Sequence, residues 1–169
     1  MNELFRQTLL SFAIGIIAAF LLSWIWRELW RDSNIRRRQI ARGLLKLASD
    51  FDAAETSGRE AILRILQRES QSPDRFTKCY SAYVAGQIGR TLSDAPRQIE
   101  TIVDLLVNLL GKTDPFVRHA AAAALYHLGA NARGARSALE QTSQQFEEES
   151  SGRIAKRLLQ HLGDSLAQW

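Results

Sequence analysis

The first hydrophobic pattern along the chain is a continuous apolar run near its start. Residues 8–26 read TLLSFAIGIIAAFLLSWIW, and no charged residue lies between Arg6 and Arg27. At about 1.5 Å per residue the run forms a helix of roughly 28 Å, close to the roughly 30 Å hydrocarbon core of a bilayer. The pattern therefore predicts a transmembrane helix over residues 8–26, preceded by a short extracytoplasmic tail, residues 1–7.

A secretory signal peptide is the alternative interpretation of this run. A signal peptide has a shorter apolar stretch and ends in small residues that a peptidase accepts. Here the run ends in Trp24 and Trp26, and Trp30 follows shortly after it. Indole side chains are typical of the membrane interface, where the ring lies in lipid and the N–H group reaches the headgroups. The sequence therefore favours an uncleaved anchor.

Beyond the run, apolar residues recur at helical rather than alternating spacing. A basic juxtamembrane helix or stalk is predicted over residues 27–56, with an apolar stripe formed by Ile35, Ile40, Leu44, Leu47, Ala48 and Phe51. From residue 57 to residue 169 the apolar stripes predict helices in pairs and no strands. The predicted first helices cover residues 60–68, 98–110 and 135–146. The predicted fold is all-α.

The second helices of these pairs are near-copies of one another. Residues 74–89 (DRFTKCYSAYVAGQIG) match residues 114–129 (DPFVRHAAAAALYHLG) at an offset of forty, and residues 148–163 form a weaker copy. A helix pair followed by its own near-copies is typical of an α-solenoid. The motif positions are Asp74, Lys78, Gly89, Asp114, Val117, Arg118, Ala121, Leu125, Gly129 and Gly163.

The string D-x-x-V-R-x-x-A-A-x-A-L-x-x-L-G in residues 114–129 resembles the second helix of HEAT repeats. It is most similar to the short HEAT-like repeats of phycobilisome lyases, and the resemblance covers about residues 58–164. It implies a short right-handed stack of about three helix pairs that serves as a protein-binding scaffold, without implying an activity. It also implies that Asp114 and Arg118 take part in ladders between repeats.

Alanines fill the middle copy of the repeat. The corresponding helix face carries larger side chains in the other two copies, whereas Ala120, Ala121 and Ala124 reduce it to methyl groups. Helix propensity alone favours such a run. A helix flanked on both sides has the least room, so we expect these three residues to be close-contact positions at the centre of the stack.

Positive charge is concentrated directly after the apolar run. The membrane-interface and basic positions are Trp24, Trp26, Trp30, Arg27, Arg31, Arg36, Arg37, Arg38 and Arg42. The positive-inside rule therefore predicts that the C-terminal domain is cytoplasmic, at an inner or thylakoid-type cell membrane. Basic residues at this place also attract anionic lipid, so membrane lipid is an expected partner of residues 8–46. Whether the arginines only set topology or also recognise lipid stays open.

The net charge of +4 belongs to the membrane-proximal part of the chain. Residues 1–46 contain eight Lys or Arg and three Asp or Glu, whereas the rest contains fourteen and fifteen. Residues 47–169 thus have a balance of −1. Because a surface that follows nucleic-acid phosphates needs a basic excess, we expect no nucleic-acid partner.

Candidate catalytic and metal-binding side chains are few. His119, His127 and His161 lack the Glu neighbours and the spacing of metal-binding helices, so we expect no metal and no other cofactor. The lone Cys79 agrees with a reducing compartment. It lies beside Lys78, whose ammonium would lower a thiol pKa, but no histidine partner is evident and an incidental thiol is favoured.

Small residues form one edge of the predicted transmembrane helix: Ser11, Gly15, Ala19 and Ser23 recur every four residues. Such an edge permits close helix contact, so the sequence is compatible with a homodimer through this helix. Taken together, the sequence predicts a non-catalytic, membrane-anchored scaffold or adaptor that binds a cytosolic protein. The alternative is a membrane-held HEAT-like lyase or a chaperone for a pigment-bearing or other protein complex.

Overall fold

The computed structural model describes residue 35 and residues 37–92 and 95–164. The chain divides into two compact units, Met1–Gln39 and Ile40–Trp169, and the described fold is that of the second. No strand occurs among the described residues, so the all-α prediction is confirmed. The predicted span over residues 8–26 lies outside them, and no described helix has both the length and the apolar character to cross a bilayer.

Seven α-helices and one 3₁₀ segment make up the described part of the second unit. The first helix, α1, covers residues 40–53 of this unit and ends within the predicted range. The others are α2 (Thr56–Ser70), α3 (Arg75–Thr91), α4 (Pro96–Leu110), α5 (Pro115–Leu128), the 3₁₀ segment Gly129–Ala135, α6 (Arg136–Gln145) and α7 (Ser150–Asp164). The predicted helix pairs are therefore present, although α2 begins four residues earlier than predicted.

The helices from α2 onward lie in two layers. In the first layer α4 packs against α2 and α6, and in the second layer α5 packs against α3 and α7. Across the layers α3 packs against α2 and α4, α5 against α4, and α7 against α6, while the 3₁₀ segment contacts both α5 and α6. The apolar core lies between the layers. Because each layer is made of every second helix, the arrangement is consistent with an α-solenoid-like fold.

Burial follows the internal repeat. Each of the following positions is buried in both copies: Thr77 and Val117, Ser81 and Ala121, Ala82 and Ala122, Val84 and Ala124, Ala85 and Leu125, Ile88 and Leu128. Equivalent positions therefore face the core at the forty-residue offset, as expected for two helices with the same packing role.

Local capping explains where α3 and α5 begin. The Asp74 carboxylate accepts a hydrogen bond from the Thr77 N–H at 2.9 Å, and Asp114 accepts one from the Phe116 N–H at 2.9 Å. Each carboxylate satisfies a first-turn donor and lies at the positive end of the helix dipole.

The repeat glycines do not all end helices. Gly129 ends α5 with a φ of +56°, a conformation that L side chains rarely adopt. By contrast, α3 continues past Gly89 to Thr91 and α7 continues past Gly163 to Asp164. Gly89 instead lies against the Leu128 side chain, which a Cβ at position 89 would approach to 3.1 Å. The same residue type thus serves packing in one copy and chain reversal in another.

Candidate binding face of the second helix layer

Exposed aromatic side chains are concentrated on the second layer. We call Phe76, Tyr80 and Tyr83 of α3 with Phe116 and Tyr126 of α5 the aromatic row; Phe116 is 63% exposed and Tyr83 51%. Among the described residues from 56 to 164, every exposed large hydrophobic side chain belongs to this row. The three α3 members are spaced at i, i+4 and i+7, so they share one helix face.

Helices α3 and α5 approach each other closely beside the row. A Cβ built at Gly86 would lie 3.0 Å from the Ala124 Cβ and 3.1 Å from its Cα. Only a residue without a side chain leaves room at this place. Of the alanines expected to be close-contact positions, Ala121 and Ala124 are buried, whereas Ala120 is partly exposed.

A small groove of about 110 Å³ lies along this contact between α3 and α5. Its lining is Tyr83, Gly86, Gln87, Ala120, Ala123, Ala124 and His127. The groove is well below the roughly 300–1,000 Å³ of a small-molecule pocket, but it has room for a single apolar side chain. Methyl groups and glycine make most of its surface apolar, and Gln87 and His127 add polar edges.

The histidines contribute to contacts on the same layer. The His119 Nδ1 atom lies 2.9 Å from the Ser150 Oγ atom, and the Tyr126 and His161 rings are 6.2 Å apart between centroids. Both contacts join α5 to α7. No group of three or more His, Cys, Asp or Glu side chains in the described part of the chain could hold a metal ion.

Arg118 connects the segment before α5 to the segment before α7. It is only 4% exposed, and it donates to the carbonyl oxygens of Lys112 at 2.9 Å and Thr113 at 2.6 Å. Its Nη2 atom lies 2.7 Å from each carboxylate oxygen of Glu149. The guanidinium also lies over the Phe146 ring, 3.9 Å from its centroid. The turn before α5 is thereby tied to the turn before α7.

A second ion pair joins the preceding helix pair to α5. The Arg75 Nε atom lies 2.8 Å from an Asp114 carboxylate oxygen, and the Arg75 guanidinium is 4.9 Å from the Phe116 ring centroid. Asp114 and Arg118 therefore each form an ion pair with a residue of a neighbouring helix pair, as the HEAT resemblance implies. Such charge-assisted hydrogen bonds set how one helix pair lies on the next.

The contact with Arg118 shifts the pKa of Glu149. Hydrogen bonds from Arg118 lower the pKa of its carboxyl below the ordinary glutamate value, and partial desolvation opposes this shift.

The cleft beside Arg118, also lined by Thr142, Gln145 and Phe146, has a volume of about 600 Å³. Glu149 neutralises the Arg118 guanidinium, and Lys112 is the other basic residue that lines this cleft.

The environment of Cys79 does not favour thiol chemistry. Burial and, to a smaller extent, the Asp114 carboxylate raise the pKa of the thiol, and this outweighs the opposite effect of Arg75. The thiol is therefore protonated at neutral pH, and a protonated thiol is a poor nucleophile. Lys78, expected from its position to lower this pKa, is not among the groups that shift it.

The other predicted site residues divide into three groups. Val117, Ala121 and Leu125 are core residues, whereas Arg38 and Arg42 are exposed and Arg37 is partly exposed, all three at helical positions. The positions that lie outside the described residues are Ser11, Gly15, Ala19, Ser23, Trp24, Trp26, Arg27, Trp30, Arg31 and Arg36.

The aromatic row was not predicted from the sequence. A signal was present, because Phe76, Tyr80 and Tyr83 recur at helical spacing and Phe116 repeats Phe76 forty residues later.

A comparison of the chain with protein-family models, curated proteins and solved structures found no match.

Proposed function

We propose that this protein is a single-pass, membrane-anchored HEAT-type scaffold that binds a cytosolic protein partner and has no catalytic activity of its own. The single observation that carries the proposal is the aromatic row on α3 and α5. Exposed apolar patches often mark binding sites, and Tyr and Phe are enriched at protein interfaces, so five exposed aromatic side chains on two packed helices support a protein partner. The residues of this row are held on packed helices, so they form a rigid surface.

The side chains considered for chemistry have structural surroundings in the described residues. Arg118 is engaged in structural contacts, the Cys79 thiol is protonated, and His119 and His161 lie at contacts between α5 and α7. The apolar run over residues 8–26 and the arginines after it support attachment to a membrane with the helical domain in the cytoplasm. The anchor would hold the bound partner close to the lipid surface.

Purification of the full-length chain tests the proposal. The tagged protein would be extracted from its own membrane in a mild detergent, and co-purifying proteins would be quantified by mass spectrometry. We expect a stoichiometric protein partner with the wild type, and its loss when Tyr83→Ser is combined with Phe116→Ser. Leu45→Ser is the matched control, since Leu45 is 43% exposed on α1; this variant should retain the partner.

Three results would contradict the proposal: no partner with the wild type, full retention by the folded double variant, or equal loss from the Leu45→Ser control. Circular dichroism of each purified variant establishes that it is folded. A stoichiometric bound chromophore in place of a protein would instead support the accessory-lyase alternative.

A further inference from the structure

Charge is distributed unequally between the two helix layers. The first layer carries both signs, for example Arg64, Arg97 and Arg136 together with Glu60, Glu100 and Asp104. Within α3, α5 and α7 the only acidic residue is Asp164, at the last position of α7. The basic residues of these three helices are Arg75, Lys78, Arg90, Arg118, Arg153, Lys156 and Arg157. The carboxylates of this layer instead stand directly before the helices, as Asp74, Asp114 and residues 147–149.

Part of this positive charge is already neutralised. Arg75 and Arg118 are paired with Asp114 and Glu149, and the Lys156 Nζ atom lies 3.5 Å from a Glu147 oxygen. Arg153 and Arg157 differ from these residues. Both are exposed, and neither side chain forms an ion pair or a hydrogen bond within the described part of the chain.

The two unpaired arginines lie on the edge of α7 that borders α5. Arg157 follows Ser150 by seven residues and His161 follows it by eleven, so the three residues share one side of α7. Both ends of that side contact α5, since Ser150 lies at 2.9 Å from His119 and His161 lies against Tyr126. Arg157 is between these contacts, and Arg153 is one turn from it. Positive charge thus flanks the aromatic row.

The surface between α3 and α5, on the other side of α5 from these arginines, is shaped for an apolar side chain. The groove between α3 and α5 has alanine and glycine along its length and Tyr83 at its edge. An amphipathic helix typically places residues at i, i+3 or i+4, and i+7 into such a surface. The exposed Arg153 and Arg157, which form no ion pair among the described residues, favour acidic side chains beside those anchors, because opposite charges on facing surfaces steer and orient association.

We propose that the partner binds through an acidic amphipathic helix, with an apolar side chain in the groove between α3 and α5 and carboxylates near Arg153 and Arg157. The proposal rests on the scaffold function proposed above and specifies the chemistry of its partner. Nucleic acid is also attracted to basic and aromatic surfaces. A stable phosphate-tracking surface makes on the order of 6–10 contacts, however, and only Arg90, Arg153 and Arg157 are exposed and unpaired in these helices.

Site-specific photo-crosslinking in native membranes tests this chemistry. The full-length chain would carry p-benzoyl-phenylalanine in place of Tyr83, and the crosslinked segment would be sequenced by mass spectrometry. A second version adds Arg153→Glu and Arg157→Glu. A third adds Arg64→Glu and Arg97→Glu, which reverse two exposed charges of the first layer.

We expect the crosslink to map to a segment with more Asp and Glu than Lys and Arg and with apolar residues at helical spacing. The Arg153 and Arg157 reversals should lower the yield about tenfold, and the first-layer reversals less than about twofold. A neutral or basic segment, a crosslink to nucleic acid, or a yield unaffected by the Arg153 and Arg157 reversals overturns this inference.

The result also separates this inference from the proposed function. A crosslinked protein segment of the wrong chemistry overturns the acidic-helix inference and leaves the scaffold function standing. Failure to crosslink any protein, together with no partner in the detergent purification, overturns both.

Discussion

Helices α4 and α5 lie at the centres of the two layers and bury different kinds of side chain. The buried residues of α4 are Ile102, Val103, Leu105, Leu106, Leu109 and Leu110. In α5 they are Val117, Arg118, Ala121, Ala122, Ala124, Leu125 and Leu128. The first layer therefore fills the core with large aliphatic groups, whereas the second allows helices to approach through alanine and glycine.

This difference extends to the surface. Where α3 and α5 meet through Gly86 and Ala124, little side-chain bulk separates them, so a shallow groove remains beside the exposed aromatic residues. The first layer carries no exposed large hydrophobic residue in α2, α4 or α6, and its charges are of both signs. The large aliphatic core residues of this comparison therefore lie in the first layer, and the exposed aromatic residues lie in the second.

Removing volume from the first layer should have the largest effect. Leu106 is fully buried in α4, and Leu106→Ala should lower the free energy of unfolding by about 3–4 kcal/mol through lost burial and a residual cavity. Urea unfolding in mild detergent, followed by circular dichroism, measures it. Leu106→Met keeps the volume and should cost less than about 1.5 kcal/mol. Equal costs for the two variants would show that α4 does not serve as the volume-filling helix.

Adding volume to the second layer should have the next largest effect on the free energy of unfolding. Ala121 is fully buried in α5, so Ala121→Leu should lower the unfolding free energy by about 1–3 kcal/mol through overpacking. The same unfolding measurement applies. Ala61→Leu, at an exposed position of α2, provides the control and should change stability by less than about 0.5 kcal/mol. If Ala121→Leu leaves the free energy of unfolding unchanged, helix propensity alone explains the alanine run.

Gly86→Ala should reverse the usual sign of a glycine replacement. Within a helix, replacing glycine by alanine stabilises by about 0.5–1 kcal/mol. At Gly43 of α1 a Cβ would have no neighbour within 4 Å, so Gly43→Ala should show this gain. Gly86→Ala places its Cβ against the Ala124 backbone and should instead destabilise by about 1 kcal/mol. Parallel thermal melts measure the two variants, and gains in both would contradict the close approach.

The smallest effect should be the acid dependence of the Arg118–Glu149 pair. The folded-state pKa of Glu149 is lowered, so its stabilisation is fully present above the unfolded pKa and is lost as pH falls through the folded value. At pH 7 the wild type should therefore melt above Glu149→Gln. This difference should shrink from about pH 4.5 downward. A constant difference down to pH 2 would show that the charge of Glu149 does not contribute.

Several features of the fold could be predicted from neighbouring residues alone. The apolar periodicity specified helices, and Asp74 and Asp114 indicated where two of them begin because capping involves atoms within three residues. The glycines were harder to predict. Their forty-residue spacing suggested a common role in ending helices, but Gly89 has a packing role that depends on Leu128 of another helix.

By itself the sequence determined the helical class, the repeat, and an apolar run of the right length for a bilayer, since these depend on residue type and spacing within continuous segments. Only the tertiary structure decided which helices share the candidate binding face. Arg118 meets Glu149 across 31 residues, and α3 meets α5 although α4 lies between them in sequence. Stacking brings every second helix together, so contacts and charges distant in the chain become one surface.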